Sequence, residues 1–496
     1  MTDPRSLSAA RRQRTRAYLV LSFRRPSLPV FVRGETLDTV VPFRAWRYSR
    51  LAGELSDLVA PPYDVIGPDL QARLYARSPH NVVRVDLGVA LPGDDQQRNQ
   101  YTRAAGLLAG WKQTGVLERD GRPTVTFVEE DFTGPDGHVG RRYGFLAALR
   151  LSEFGEGLVF PHEHTLTGPK EDRFRLMTAT EMSLSPVFLL YDLPGDEITA
   201  AWKSALAAQP ATSTTTDEGG NVTSLWATSD PGLLAIVTGR MAASRFLVAD
   251  GHHRYETALR YRNTRRAQAA ADPDGPSASD YCLVYLANMR DPALTIYPTH
   301  RLVSGLPDAL VADLPRKLAD AFTVERLDVA GAAARDGAGA HAPGRAGQRG
   351  AASQAAIATY LKAHPRGAFG LWGPSLDAAY GFRLADLATA HIDSTRSAAY
   401  QELDVVILQT LVLERYLGIS ASDMAAEKGV DFFKDPADGF AKLEAGEAQL
   451  VFFLNPAGLD QVSQVAFGGE RMPQKTTFFY PKLPTGLVFH DLTGRL

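Results

Sequence analysis

One cysteine, Cys282, stands among 496 residues, so no disulfide can form within the chain. That fits a reducing compartment and an expected cytoplasmic location. Charge of one sign is not in excess either. Lysine and arginine number 53 against 56 acidic residues, a net charge of −3. This balance argues against a protein that holds nucleic acid or an anionic membrane through bulk charge. Long apolar runs are missing. Ala17 to Phe23 is bounded by Arg24-Arg25 and is far too short to span a bilayer. No internal repeat, Walker A pattern or protein-kinase H-R-D signature is present. What remains is ordinary: 45% hydrophobic and 22% charged residues, in a chain long enough for several cores.

The chain is organised around Phe246 to Leu259, FLVADGHHRYETAL. Phe246 to Ala249 reads as a short buried strand. Asp250-Gly251 is turn chemistry, because glycine tolerates a positive φ. Tyr255, Ala258 and Leu259 then recur at helical spacing. Strand, tight turn and helix start aim backbone N–H groups at one point, which suits a phosphate. Arg254 would add a forked cation, and His252 and His253 a donor or a proton.

Before this stretch, residues 1–39 read as an Arg- and Ser-rich extension. VVPFRAWRYS is expected to start as a strand, and Asn81 to Gly88 alternates as another. Helices are expected over Leu70 to Tyr75 and Asn99 to Thr114. Tyr63 and Asp64 follow Pro61-Pro62, which excludes helix there. Leu158 to Phe160 is a buried run leading into PHEHTLTGPKEDR, so His162, Glu163 and His164 sit at a strand end. Lys170 and Arg173 open the next helix. Pro210 to Ser224 reads as an exposed loop.

After the central helix, LTIYPTHRLV reads as one strand. Ala330 to Ala356 is nearly all Ala, Gly, Arg and His without an apolar face, and reads as a disordered insertion. GAFGLWG and AAYGFRL read as a hairpin, and Leu403 to Gly418 as an apolar helix stopped by glycine. Lys475, Thr476 and Thr477 lie between prolines near the end. The expected fold class is mixed α/β. Its parts are an N-terminal α/β subdomain at 40–150, a core at 151–329, the insertion at 330–356 and a C-terminal α/β subdomain at 357–496.

Three chemistries suit these clusters. Phosphoryl transfer needs a phosphate cradle, a cation and a group to take the acceptor's proton. The D-G-H-H-R turn, Lys475 or Arg254, and Glu163 supply these. A zinc hydrolase would use His162, His164, His252 and His253, though H-E-H is not H-E-x-x-H. A nucleotide-binding module without turnover would use the same cradle.

PFRAWRY, LVAPPYDVI, SPHNVVRVDLG, PHEHTLTGPKEDR, LSPVFLLYD, ADGHHRYETAL, PTHRLV and MPQKTTFFYPKLPTGLVF occur in order from about Val40 to the C-terminus. Together they resemble the family of domain of unknown function 1015. That family is similar, by short motifs, to the ParB/sulfiredoxin-like superfamily, which includes free serine kinases. The resemblance implies a ParB/sulfiredoxin-like core with the C-terminal segment folding back on it. It implies a kinase that moves a phosphoryl group from ATP or ADP, with Mg²⁺, to free serine or a similar hydroxylated metabolite. Nucleic acid, membrane and a resident protein-held metal are not expected.

Glu163 resembles the kinases' base, with His162 and His253 as catalytic companions. Asp250, Gly251, His252, His253 and Arg254 resemble their phosphate turn. Lys475, Thr476 and Thr477 resemble a later P-K-[ST]-T motif, which the kinases follow with Arg-His where this chain has Phe478-Phe479. The resembling segments also supply substrate-binding candidates: Tyr63, Asp64, Lys170, Arg173, Thr299, His300 and Arg301.

Overall fold

Strand Phe246–Asp250 sits inside a nine-stranded mixed sheet. In the computed structural model, residues 38–165, 167–206, 208–268, 276–327, 345–385 and 392–496 are described. Val159–Phe160 pairs parallel to this strand on one side, and Val187–Tyr191 antiparallel on the other. Beyond lie Tyr281–Asn288, Val139–Arg150, Val125–Thr133, Val222–Thr228 and Ser213–Thr216. Val40–Val41 pairs with the end of Val139–Arg150.

Successive strand residues enter opposite cores, as the two-residue period of a pleated strand requires. Phe246 and Val248 face a cluster with Tyr255, Ala258 and Trp202, so helices cover that side. Leu247 and Ala249 face a second cluster that runs on into another sheet through Phe369, Phe382 and Phe452. With both faces buried, these strands carry no polar alternation, which is why they read as continuous apolar runs.

The second sheet has six antiparallel strands. Their order is Phe322–Leu327, Ala379–Leu384, Ala368–Trp372, Leu450–Leu454, His300–Val303 and Val430–Phe433. The mixed α/β class and the 368–384 hairpin are as expected from sequence. Among the described residues no helix is long and apolar enough to cross a membrane.

Several expectations are corrected. Asn81 to Gly88 is not a strand: Val83–Asp86 is a helical turn, begun where the Asn81 side chain caps the Val83 N–H. The 210–224 loop contains strands Ser213–Thr216 and the start of Val222–Thr228, because pairing of the first with the second, and of the second with Val125–Thr133, outweighs polar composition. LTIYPTHRLV is two strands in two sheets, broken at Thr299. Leu403 to Gly418 begins as α-helix at Asp404–Ile407 and continues as π turns over Leu408–Glu414.

The end of the expected insertion is corrected. Residues 330–344 lie outside the described residues, as does 1–37. Arg345–Ala363 is a helix, and Ser353, Ile357, Tyr360 and Leu361 are buried. Its apolar side begins at the end of the Ala/Gly-rich stretch. Gly370 and Gly381 let it lie flat: a Cβ at Gly370 would stand 2.2 Å from Ile357 Cγ2, and one at Gly381 2.7 Å from the Tyr360 ring. The division expected at 150/151 cuts the first sheet, since Val139–Arg150 pairs with Tyr281–Asn288.

Candidate functional site

Glu163 is fixed by the strand end before it and by the C-terminal chain. It bridges Met472, whose N–H donates to the His162 carbonyl at 2.7 Å. Its Oε1 accepts from the backbone N–H groups of Thr476 and Thr477 at 3.0 and 3.1 Å, and from the Thr477 hydroxyl at 3.3 Å. Oε2 has no hydrogen-bond partner among the described residues. Burial pushes this carboxyl up. Hydrogen bonding and charge from His162 and His252, with the Thr477 N–H, pull it further the other way, to about 2. Glu163 is ionised throughout the physiological range.

His162 is fully buried. Its Nδ1 bonds the Val248 carbonyl and its Nε2 lies 2.8 Å from the Thr477 hydroxyl. Its backbone N–H donates to His252 Nε2 at 3.2 Å. The two rings stand edge to face at 4.6 Å. Burial and the neighbouring His162 lower His252 to about 3, so its Nε2 carries a lone pair. Glu163 and the central turn, 87 or more residues apart in sequence, are therefore joined through one histidine pair.

Gly251 has φ 92°, as its place in the turn suggests. A side chain there would also strike the Arg254 guanidinium, 2.9–3.0 Å from the site of a Cβ. Arg254 itself is turned away from the expected phosphate position. It donates to Asp250, the Ser185 hydroxyl and the Pro186 carbonyl. Lys482 closes on the other oxygen of Asp250. Asp250, despite its burial, is held well below the usual carboxylate range by Lys482 and Arg254. This ion-paired set, Asp250 and Arg254, expected to contact phosphate, braces the turn.

Lys475 has φ 55°, a left-handed conformation that costs a non-glycine residue about 1–3 kcal/mol. The strained residue is held from both sides. Glu163 binds the next two N–H groups, and the buried Arg301 donates to the Lys475 carbonyl at 3.3 Å. Arg301 also donates to the Thr299 carbonyl and, among the described residues, has no carboxylate within 4.0 Å. Burial lowers it to about 10. Thr299 thus serves through its backbone. His300 points to the opposite face, against Phe433 and Phe453, where burial lowers it to about 3. It lies in aromatic packing of the second sheet, and its expected substrate role is corrected on that ground.

The remaining candidates gather near the turn. Lys170 donates to Thr165 and Glu256 at 3.1 and 2.9 Å. Arg173 pairs with the buried Asp86 at 3.0 Å and lies 4.2 Å from the Tyr63 ring centre. Asp64 is exposed beside Tyr63. His253 is lowered by burial, with the charges of Lys170 and Lys475 adding to the fall and those of Glu256 and Asp64 opposing it. The histidines do not form a zinc set: both ring nitrogens of His162 are engaged, and His164 stands apart on an exposed wall.

Sequence reasoning missed Lys434, Lys482 and Glu256. Lys434 lies 3.7 Å and Lys482 5.1 Å from the Phe478 ring centre. Burial, helped by the charge of Lys482, lowers Lys434 to about 8. The P-K-L-P sequence around Lys482 was a usable signal. Lys434 had none. The buried Arg142, held by Glu130 at 2.8 Å, also escaped notice; it donates to the Tyr480 and Pro481 carbonyls and positions this strand.

Residues 40–406 match the family described as "Protein of unknown function (DUF1015)". The chain belongs to that family. No curated protein matches the sequence. Among solved structures, a DUF1015 chain of this kind is similar to a conserved hypothetical protein from Pyrococcus furiosus. The two are 14% identical over 68% of this chain and 91% of that one, with a TM-score of 0.30. A mutant free serine kinase in complex with AMP is 13% identical over 68% and 88%, with a TM-score of 0.32. SbnI from Staphylococcus aureus is 12% identical over 71% and 87%, at 0.31. Likeness this slight decides nothing about how the present chain acts.

Proposed function

We propose that this DUF1015 protein transfers a phosphoryl group from ATP or ADP to the hydroxyl of a small metabolite, free serine or a compound like it. One observation carries the reading. Glu163, an ionised carboxylate whose Oε2 has no hydrogen-bond partner among the described residues, holds the N–H groups that follow Lys475; its neighbour His162 contacts His252 at the opening of helix His252–Gln268, and Lys434 and Lys482 flank Phe478, the residue after Thr477. Of these lysines, Lys434 has no carboxylate within 4.0 Å among the described residues, and Lys475 only Glu427, at 4.0 Å. Lys434 and Lys475 thus offer a polyanion positive charge that close carboxylates leave largely unneutralised.

The acceptor oxygen would attack the transferred phosphorus as the bond to the leaving phosphate breaks, and its proton would pass to Glu163 Oε2. A carboxylate near 2 is a weak base. In a loose phosphoryl transfer that is tolerable, because the proton moves late and positioning dominates. The neutral His252 and the His162–Thr477 contact keep the carboxylate in place. Lys475 and Lys434 would neutralise charge on the phosphates. Mg²⁺ would supply further neutralisation. Among the described residues no three His, Cys, Asp or Glu side chains are grouped to hold a metal, so the ion would arrive with the nucleotide.

A second reading, a regulatory nucleotide-binding module, draws on one fact: Glu163 Oε1 is already occupied by the backbone of Thr476 and Thr477. The two separate cleanly. Incubating the protein with Mg²⁺, ATP or ADP, and a panel of hydroxy amino acids should give acceptor-dependent nucleotide products. Nucleotide binding with no acceptor-dependent product selects the module.

A further inference from the structure

We propose that the groove beside Phe478 is a nucleoside subsite that takes a flat heteroaromatic base and its sugar. This rests on the phosphoryl-transfer reading and gives the ligand a direction. The groove encloses about 320 Å³, within the range of small-molecule sites. Its walls are apolar and stiff: Val59, Ala60, Pro61 and Val65 from one segment, Tyr480 and Pro481 from the other. An acyl chain or a planar ring would suit such walls; the two ends decide between them.

At one end Lys434 and Lys482 lie over the Phe478 ring. Lys482 is neutralised by Asp250 in the central turn, whereas Lys434 has no carboxylate within 4.0 Å among the described residues. This end wants an anion and adjoins the turn. At the other end the Asn221 amide donates to Asp217 at 2.8 Å and to the Tyr480 hydroxyl at 3.0 Å. Asp217 there can accept from a sugar hydroxyl or a ring amino group, which an acyl chain would waste. The Phe478 and Tyr480 rings are 6.1 Å apart, so both ends lie within one nucleoside phosphate. The base would sit towards Tyr480, with the phosphates at Lys434 running on to Gly251.

Calorimetry with ADP and with inorganic tripolyphosphate tests this. Val65→Trp at the groove wall should weaken ADP by about tenfold or more, roughly the loss of 1.4 kcal/mol, and leave tripolyphosphate within about twofold. Lys434→Ala should weaken both. Photolysis of an azido-purine diphosphate on the unaltered protein should label residues 59–65 or 478–484, whatever the variants do. Unchanged ADP affinity in folded Val65→Trp, equal loss of both ligands in it, or label elsewhere would overturn the subsite. If the unaltered protein binds neither ADP nor tripolyphosphate, the phosphoryl-transfer reading itself falls.

Discussion

A carboxylate that accepts two backbone N–H groups with one oxygen is both anchored and kept ionised. Glu163 is in that position, and the strained Lys475 depends on it. Arg254 illustrates the opposite outcome. A cation at a helix start suggests a phosphate ligand, yet three of its five N–H groups go to Asp250, Ser185 and Pro186. Arg254→Ala should therefore cost about 1.5–3 kcal/mol of fold stability, the scale of charged hydrogen bonds. Chemical denaturation checks this; unchanged stability with lost nucleotide affinity would return Arg254 to the ligand. Lys434, lowered to about 8, gives a pH signature. An anion favours its protonated form, so nucleotide affinity should fall as pH rises through about 8. Lys434→Arg should abolish that fall, as read by calorimetry from pH 7 to 9. Glu163 was legible in sequence because a carboxylate directly after a buried run is unusual. Lys434 was not, because one lysine in a polar stretch carries no pattern until the fold puts it over Phe478.

At the scale of elements, burial on both faces made the central strands easy to read, whereas LTIYPTHRLV, half-buried over Thr295–Pro298 and buried over His300–Val303, reads as one run across its break. At the break Pro298 offers no N–H and Arg301 bonds the Thr299 carbonyl, a contact between side chain and backbone that no periodicity announces. The helix Arg345–Ala363 was obscured by its Ala- and Gly-rich start, and its packing yields a prediction. Gly381→Ala would press on the Tyr360 ring, and overpacking of this kind costs about 1–3 kcal/mol. A melting temperature equal to the parent's would show that the helix does not pack there. His300 supplies another. Its folded value near 3 lies below the ordinary 6.5, so the unfolded chain binds the proton more readily. The associated stability is complete above 6.5 and is lost as pH falls towards 3. His300→Phe should flatten that acid limb in denaturation curves; an unchanged limb would assign it to other groups, His252 among them.

Over the whole molecule, the site draws on segments that are remote in sequence. The strand end at 162–163, the turn at 250–254 and the chain from 475 to 482 are joined by direct contacts, and Lys434 stacks on Phe478. Residue types suggested most of these segments singly. Their meeting was not visible, because it depends on the C-terminal chain crossing back to Glu163, held by Arg142 and Arg301. The measurement that tests the phosphoryl-transfer account most directly is Glu163→Gln, assayed for turnover and for nucleotide affinity in the same preparation. The glutamine carbonyl can still accept from Thr476 and Thr477, so the turn is kept while the charge and proton acceptor are lost. The account predicts that turnover falls by about two to four orders of magnitude, the usual range for a general base, with affinity within a few-fold. Turnover that survives the substitution, in a folded protein that still binds nucleotide, would contradict it.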